Sequence, residues 1–243
     1  MPDTITAPHG LQTDRRIPVQ PREIKEAAFR SLCAAGADPI EAQEGALAVL
    51  RTETETHAGL LLLRELLDAD WTTPGRPAAS TDTSLMGGTL RELDSAGQPP
   101  LRTALQLLDL AGDAPAGEVS VVRTSQTNIP APLWRDLLIR HTAALGRRII
   151  IATTHATSTE DNDAVEYLTI RNRTLSTTQT VESEAVAALI PKTAGNSVVV
   201  MALPEPVHTS PPITTVAAKA LQMQEKEWQS MYQMSRKYLV PDA

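Results

Sequence analysis

Cysteine is almost missing from this chain of 243 residues. Cys33 stands alone, so no disulfide can close within the chain and no cysteine metal site can be assembled. Its place on the first helical pattern reads as a small buried thiol. Aromatic residues are nearly as scarce, at 3%, so the core has to be aliphatic and rich in alanine. No apolar run approaches the roughly 20 residues that cross a bilayer, and no membrane partner is expected. Met1–Gly10 lacks a basic stretch followed by an apolar one, and reads as a loose tail rather than a targeting signal. A cytoplasmic location is the expectation. Net charge is −7, and the basic residues are scattered apart from Arg15-Arg16 and Arg147-Arg148. Without a concentrated basic face, nucleic acid binding is not expected. A small-molecule substrate is.

Further absences narrow the chemistry. Histidines 9, 57, 141, 155 and 208 show no metal-ligand spacing, and HExxH does not occur, so no metal is expected. The turn Ser125-Gln126-Thr127-Asn128-Ile129-Pro130-Ala131 lies between a strand pattern and a helix pattern and holds no glycine, which disfavours a Rossmann nucleotide site. A Walker loop and a nucleophile elbow are also missing, and Gly87-Gly88 is an isolated pair.

What is present is a mixture of helix and strand signals. Pro21 opens a helical pattern with Ile24, Ala28 and Leu32 at four-residue spacing, and Gly36 closes it. Asp38-Pro39-Ile40-Glu41 reads as the start of a second helix, running to about Glu53. Ala58 to Leu67 is a third. Thr72 to Gly88 reads as a loop, Thr89 to Asp94 as a short strand, and Leu101 to Leu110 as a helix. Glu118 to Thr124, Pro132 to Leu145 and Ile149 to Thr153 predict a strand, a helix and a strand, a parallel crossover unit. Val165 to Ile170 and Ser197 to Leu203 predict further strands, Pro204 to Pro212 a linker, and Val216 to Tyr238 a final helix. The expected fold class is α/β (α+β), with a helical N-terminal region packed on a mixed sheet. Residues 1–18 are expected as a flexible tail and 19–243 as one catalytic domain. Its parts are helices over 21–70, sheet over 89–203 and a C-terminal helix over 214–239.

Candidate chemistry gathers at two places. His57 follows Glu53 and Glu55 and precedes Arg64. It can transfer protons near neutrality, or it can be a helix C-terminal residue favoured by the dipole. Glu92 and Asp94 are two apart on a strand pattern and share a face, where a pair of carboxylates can raise one pKa and create an acid/base. They can equally form a solvated strand face. Trp134 can border an aromatic substrate or simply pack.

These segments resemble the malate/L-lactate dehydrogenase-like family, a non-Rossmann group. Its Asp-Ser-His-Gly motif followed by arginine resembles Glu55-Thr56-His57-Ala58-Gly59 with Arg64. Its Val-Arg-Asn-Ser-Asn-His strand end resembles Val122-Arg123-Thr124-Ser125-Gln126-Thr127. Leu93 to Leu110, Leu133 to Thr154, and Thr177-Thr178-Gln179-Thr180 through Ile190-Pro191-Lys192 extend the likeness. The family's second histidine has no counterpart near Thr127, Arg64 lies three positions late, and no cofactor segment follows Thr154. A weaker resemblance is to bacterial β-carboline-forming Pictet–Spengler enzymes. It implies a cofactor-free condensation of a tryptophan-like amine with an aldehyde. Glu92 would be the acid/base, His57 would assist, and Arg64, Asp94 and Trp134 would lie at the substrate. The resemblance to the dehydrogenases implies a homodimer. It leaves two alternatives: an NAD(P)H-dependent ketimine or 2-oxo acid reductase, or a catalytically silent binding protein.

Overall fold

The computed structural model describes residues 15–72, 80–85, 88–95, 97–115, 117–125, 129–145, 147–155, 164–171, 174–178, 197–206 and 219–239. Three successive helices lie near the start of the described chain: α1 (Pro21–Ala35), α2 (Pro39–Thr56) and α3 (Gly59–Leu67). Their starts follow from local chemistry. Asp38 accepts the Ile40 N–H at 2.8 Å while its own N–H donates to Glu41 at 3.1 Å, and Pro39 sits where an N–H is not needed. The first helix ends at Gly36, whose φ of 110° a side chain would resist.

The strands are β1 (Arg16–Val19), β2 (Ser80–Leu85), β3 (Gly88–Leu93), β4 (Val119–Ser125), β5 (Arg147–His155), β6 (Ala164–Arg171), β7 (Thr174–Thr178), β8 (Ser197–Pro206) and β9 (Leu221–Gln224). Helices α4 (Pro100–Gly112) and α5 (Ala131–Leu145) lie between strands, and α6 (Glu225–Arg236) follows β9. Seven strands form one sheet in the order β2-β3-β4-β8-β5-β6-β7, and β1 pairs with β9 in a separate ribbon. Among the described residues only β3 and β4 are parallel neighbours, joined through α4. The expected unit of β4, α5 and β5 does cross over, but β8 runs antiparallel between its two strands.

The sheet has two dissimilar faces, as strand alternation requires. Leu93, Val122, Ile149, Ile151, Val198 and Val200 point into the main core, which also takes in α1 to α5. Val121, Ala152, Val199 and Met201 form a smaller buried cluster on the opposite face, with Leu90 and Ile150 beside it.

Four strands were not expected. All of Arg16–Val19 but Val19 falls in the segment read as a tail, and the strand is paired by its backbone with Leu221–Gln224. Those last residues in turn shorten the final helix, which begins at Glu225 rather than Val216. Ser80–Leu85 lie within the expected loop; the segment is polar, but it pairs antiparallel with β3 from Ser80↔Leu93 to Leu85↔Gly88. Thr174–Thr178 add the other edge by pairing with β6. Gly88 has a packing role, since a Cβ there would run into the Val119 carbonyl. No helix among the described residues is long and apolar enough to cross a membrane.

Candidate active site

The junction between α2 and α3 is the most unusual piece of local structure. His57 ends α2 in the left-handed conformation, φ 57° and ψ 33°, and is the only non-glycine residue at positive φ among those described. Its backbone N–H still donates to the Glu53 carbonyl at 3.1 Å. The side chain stays outside, 62% exposed, while that of Glu53 one turn earlier is 2% exposed. Left-handed backbone costs a residue with a Cβ about 1 kcal/mol, and such strain concentrates at functional positions.

Glu53 holds the junction together. One carboxylate oxygen accepts the Gly59 N–H at 2.9 Å, and the other lies 3.8 Å from His57 Nδ1. Gly59 has no room for a side chain: an added Cβ would meet the Glu53 Cβ and the Val49 carbonyl at 2.7 Å each. Burial raises the pKa of Glu53 above its ordinary 4.5, helped by Glu227 on α6 and opposed by the Gly59 N–H and His57. A buried carboxyl behind an exposed imidazole can steer the ring.

Next to His57 opens a pocket of about 490 Å³. Ala58, Leu61 and Leu62 form one wall, and Pro100 at the start of α4 and Pro130, Ala131 and Pro132 at the start of α5 form the others. It lies where the parallel strands β3 and β4 lead into their helices, the side on which open α/β sheets bind ligands. Glu65 and Asp68 bring two carboxylates to the lining, and no lysine or arginine joins them among the described residues.

The expected site residues are not brought together. Glu92 lies on β3 with its side chain 52% exposed, and its charge partner is Arg123, its register neighbour on β4. Nε of that guanidinium is 2.5 Å from the carboxylate. Alternation places Glu92 on the face opposite Leu93, whereas His57 belongs to the helical side. The two acid/base candidates therefore share no site, a correction to the cluster expected. Asp94 follows the end of β3 and is exposed, so it is not a second strand residue on Glu92's face. Arg64 reaches across to α6, its Nη2 donating to Ser230 Oγ at 3.1 Å, and does not line the pocket. Trp134 is corrected from substrate border to core: it is 1% exposed, inside the main cluster, with no hydrogen-bond partner for its indole N–H among the described residues.

The sequence reading missed a charged seam between α2 and α5. The Asp136 carboxylate, 1% exposed, accepts from Arg51 Nε at 2.6 Å and from Arg140 Nε at 2.8 Å. Arg140 also holds Glu44, which His141 approaches at 3.5 Å. The His141 contact, with Arg140 and against burial, lowers the Glu44 pKa to about 2. Arg135 pairs with Glu55 at 2.9 Å. These residues lock one helix to another and keep clear of the pocket. Among the described residues no group of three or more His, Cys, Asp or Glu is placed to hold a metal ion.

No protein-family model matches the sequence, and no curated protein matches it. Solved structures do. Malate dehydrogenase from Entamoeba histolytica superposes with a TM-score of 0.53 at 11% identity, over 94% of this chain and 99% of that one. A dehydrogenase from Sinorhizobium meliloti gives 0.56 at 10% identity, over 91% and 100%. Sulfolactate dehydrogenase from Methanocaldococcus jannaschii gives 0.56 at 8% identity, over 92% and 98%. The chain has a malate/lactate dehydrogenase-like fold. At these identities the likeness shows the fold alone.

Dehydrogenases of this kind imply a nicotinamide cofactor, and the described pocket does not fit one. A pyrophosphate is held by several converging backbone N–H groups or by cationic side chains. Pro99, Pro100 and Pro132 at the two helix starts have no N–H, and Glu65 and Asp68 add negative charge.

Proposed function

We propose that the chain is a small-molecule enzyme that works at a carbonyl or imine carbon, with its substrate in the pocket between α3, α4 and α5. The carrying observation is the buried Glu53 behind the exposed, strained His57, one residue from the pocket wall at Ala58. In this reading His57 moves the proton and Glu53 positions its ring. The pocket's charge also selects a substrate class. Two carboxylates without a lining cation repel a dicarboxylate and favour an amine or iminium with an apolar body.

The fold favours an oxidoreductase, a ketimine reductase in preference to a 2-oxo acid reductase on the charge argument, with the nicotinamide phosphates held by groups other than the described lining of this pocket. Fluorescence titration with NADPH, followed by turnover with a cyclic ketimine, tests it. Binding with turnover that falls at least tenfold in His57→Gln supports the reading, and no NADPH binding removes it. A second reading is favoured by the prolines and carboxylates of the described lining, which offer a phosphate no cradle: a cofactor-free Pictet–Spengler-type condensation in which Glu92, paired with Arg123 on the sheet face away from this pocket, is the acid/base. Incubation with tryptophan and a panel of aldehydes, without cofactor, tests this by mass spectrometry. Products that vanish with Glu92→Gln support it; no condensation across the panel ends it.

A further inference from the structure

A second, smaller cavity lies between α1 and α6 and shares no lining residue with the pocket above. Its volume is about 210 Å³. That is below the roughly 300–1,000 Å³ usual for drug-sized ligands, and it suits one small ring system. One wall is aromatic. Trp228 and Tyr232 are one turn apart on α6, with ring centroids 6.1 Å apart and planes tilted by 36°. Trp228 packs partly on the core, while Tyr232 is 53% exposed. In a chain with 3% aromatics, two neighbouring rings left open in a groove are an unusual expenditure of apolar surface.

The other wall is the charged side of α1. Its charges are Arg22, Glu23, Glu26 and Arg30. Glu23 is committed to the Gln20 N–H at 2.7 Å, and Glu26 to Arg30 at 2.8 Å. Ser235 donates to the Tyr232 carbonyl at 2.7 Å. Arg22 alone has no ion-pair partner among the described residues, so the groove offers one unspent guanidinium beside two rings. A guanidinium binds a carboxylate through two parallel N–H bonds, and ring faces take a flat apolar body.

We propose that this groove is a binding site for a small aromatic carboxylate, held by Arg22 and stacked against Trp228 and Tyr232. It is independent of the reaction assigned to the other pocket. The probes are indole-3-carboxylate and its neutral amide, titrated against the full chain by calorimetry and by chemical-shift mapping. The acid should bind at least tenfold more tightly than the amide and shift the resonances of α1 and α6, leaving those of Ala58 and Leu61 unmoved. Arg22→Gln should abolish the preference for the acid, and Tyr232→Ala should weaken both probes. Both side chains are exposed, and unchanged circular dichroism checks that the variants fold. Equal binding of acid and amide, no binding at about 10 mM probe, or shifts confined to the other pocket would overturn the proposal. So would ultracentrifugation showing that Tyr232→Ala breaks a dimer, because a second copy would then be the occupant.

Discussion

Gly59→Ala is the sharpest probe of the α2–α3 junction. The new methyl group would stand 2.7 Å from the Glu53 Cβ and 2.7 Å from the Val49 carbonyl oxygen, with the Glu53 carboxylate at 3.0 Å. The first two atoms belong to the α2 helix and cannot swing aside, so the chain has to part α3 from α2. Overpacking of this kind costs about 1–3 kcal/mol, and loss of the Gly59 N–H bond to a buried carboxylate adds at least about 1 kcal/mol. The expected loss is about 3 kcal/mol, or roughly 6–12 °C in Tm for a chain of this length. Gly97→Ala is the control. Its φ is +76°, but nothing lies within 4 Å of the added Cβ, so only backbone strain of about 1 kcal/mol is charged. Urea denaturation followed by far-UV circular dichroism reads both. If Gly59→Ala costs no more than Gly97→Ala, the junction is not closely packed and Glu53 is not pinned by it. The reasoning about a positioned His57 would fall with it.

Two carboxylates on α2 should impart opposite pH slopes. Glu44, lowered from 4.5 to about 2, contributes about 3 kcal/mol above its unfolded pKa, lost as pH falls from 4.5 through 2. Glu44→Gln should remove that acid lability in denaturation curves taken between these limits. Glu53 is raised, so its contribution is full below the ordinary 4.5 and is lost as pH rises through its native value. Glu53→Gln should flatten that decline, and an unchanged slope would contradict the burial argument. Asp136→Ala should cost about 3–5 kcal/mol, because it leaves two guanidiniums facing an emptied buried site, whereas Glu55→Gln, half-exposed, should cost less than about 1 kcal/mol. Cys33 is pushed up by burial and then by Asp38, so iodoacetamide at neutral pH should label it several-fold more slowly than a free thiol.

The helices were the most legible part of the fold, because their signals are local. Pro21, Gly36 and the Asp38–Glu41 box stand within a few residues of the ends they define. Strands of apolar character, such as Ile149 to Thr153, were legible for the same reason. Ser80–Leu85 was not, since a polar edge strand is made by its partner β3 and not by its own side chains. The site was half legible. Spacing put Glu53 and His57 one turn apart and a small-residue turn after them. It could not say that one would be buried and the other held in the left-handed region, as both depend on Gly59 approaching α2. The Arg51–Asp136 and Arg140–Glu44 pairs were invisible, being separated by 85 and 96 positions. Glu92 and Asp94 show the converse error. Same-face spacing was read correctly for an extended strand, but β3 stops at Leu93 and Arg123 arrives from the next strand.

The ribbon of β1 with β9 ties residue 16 to residue 224, and the Arg15 carbonyl accepts the first N–H of α6 at 2.9 Å. During synthesis, therefore, one half of this ribbon leaves the ribosome more than 200 positions before its mate exists. Helix α1 emerges with its α6-facing side uncovered until Glu225–Arg236 have been made. The last strand of the seven-stranded sheet ends at Pro206, so that sheet has all its strands before Leu221, the first residue of the ribbon's second half, has been made.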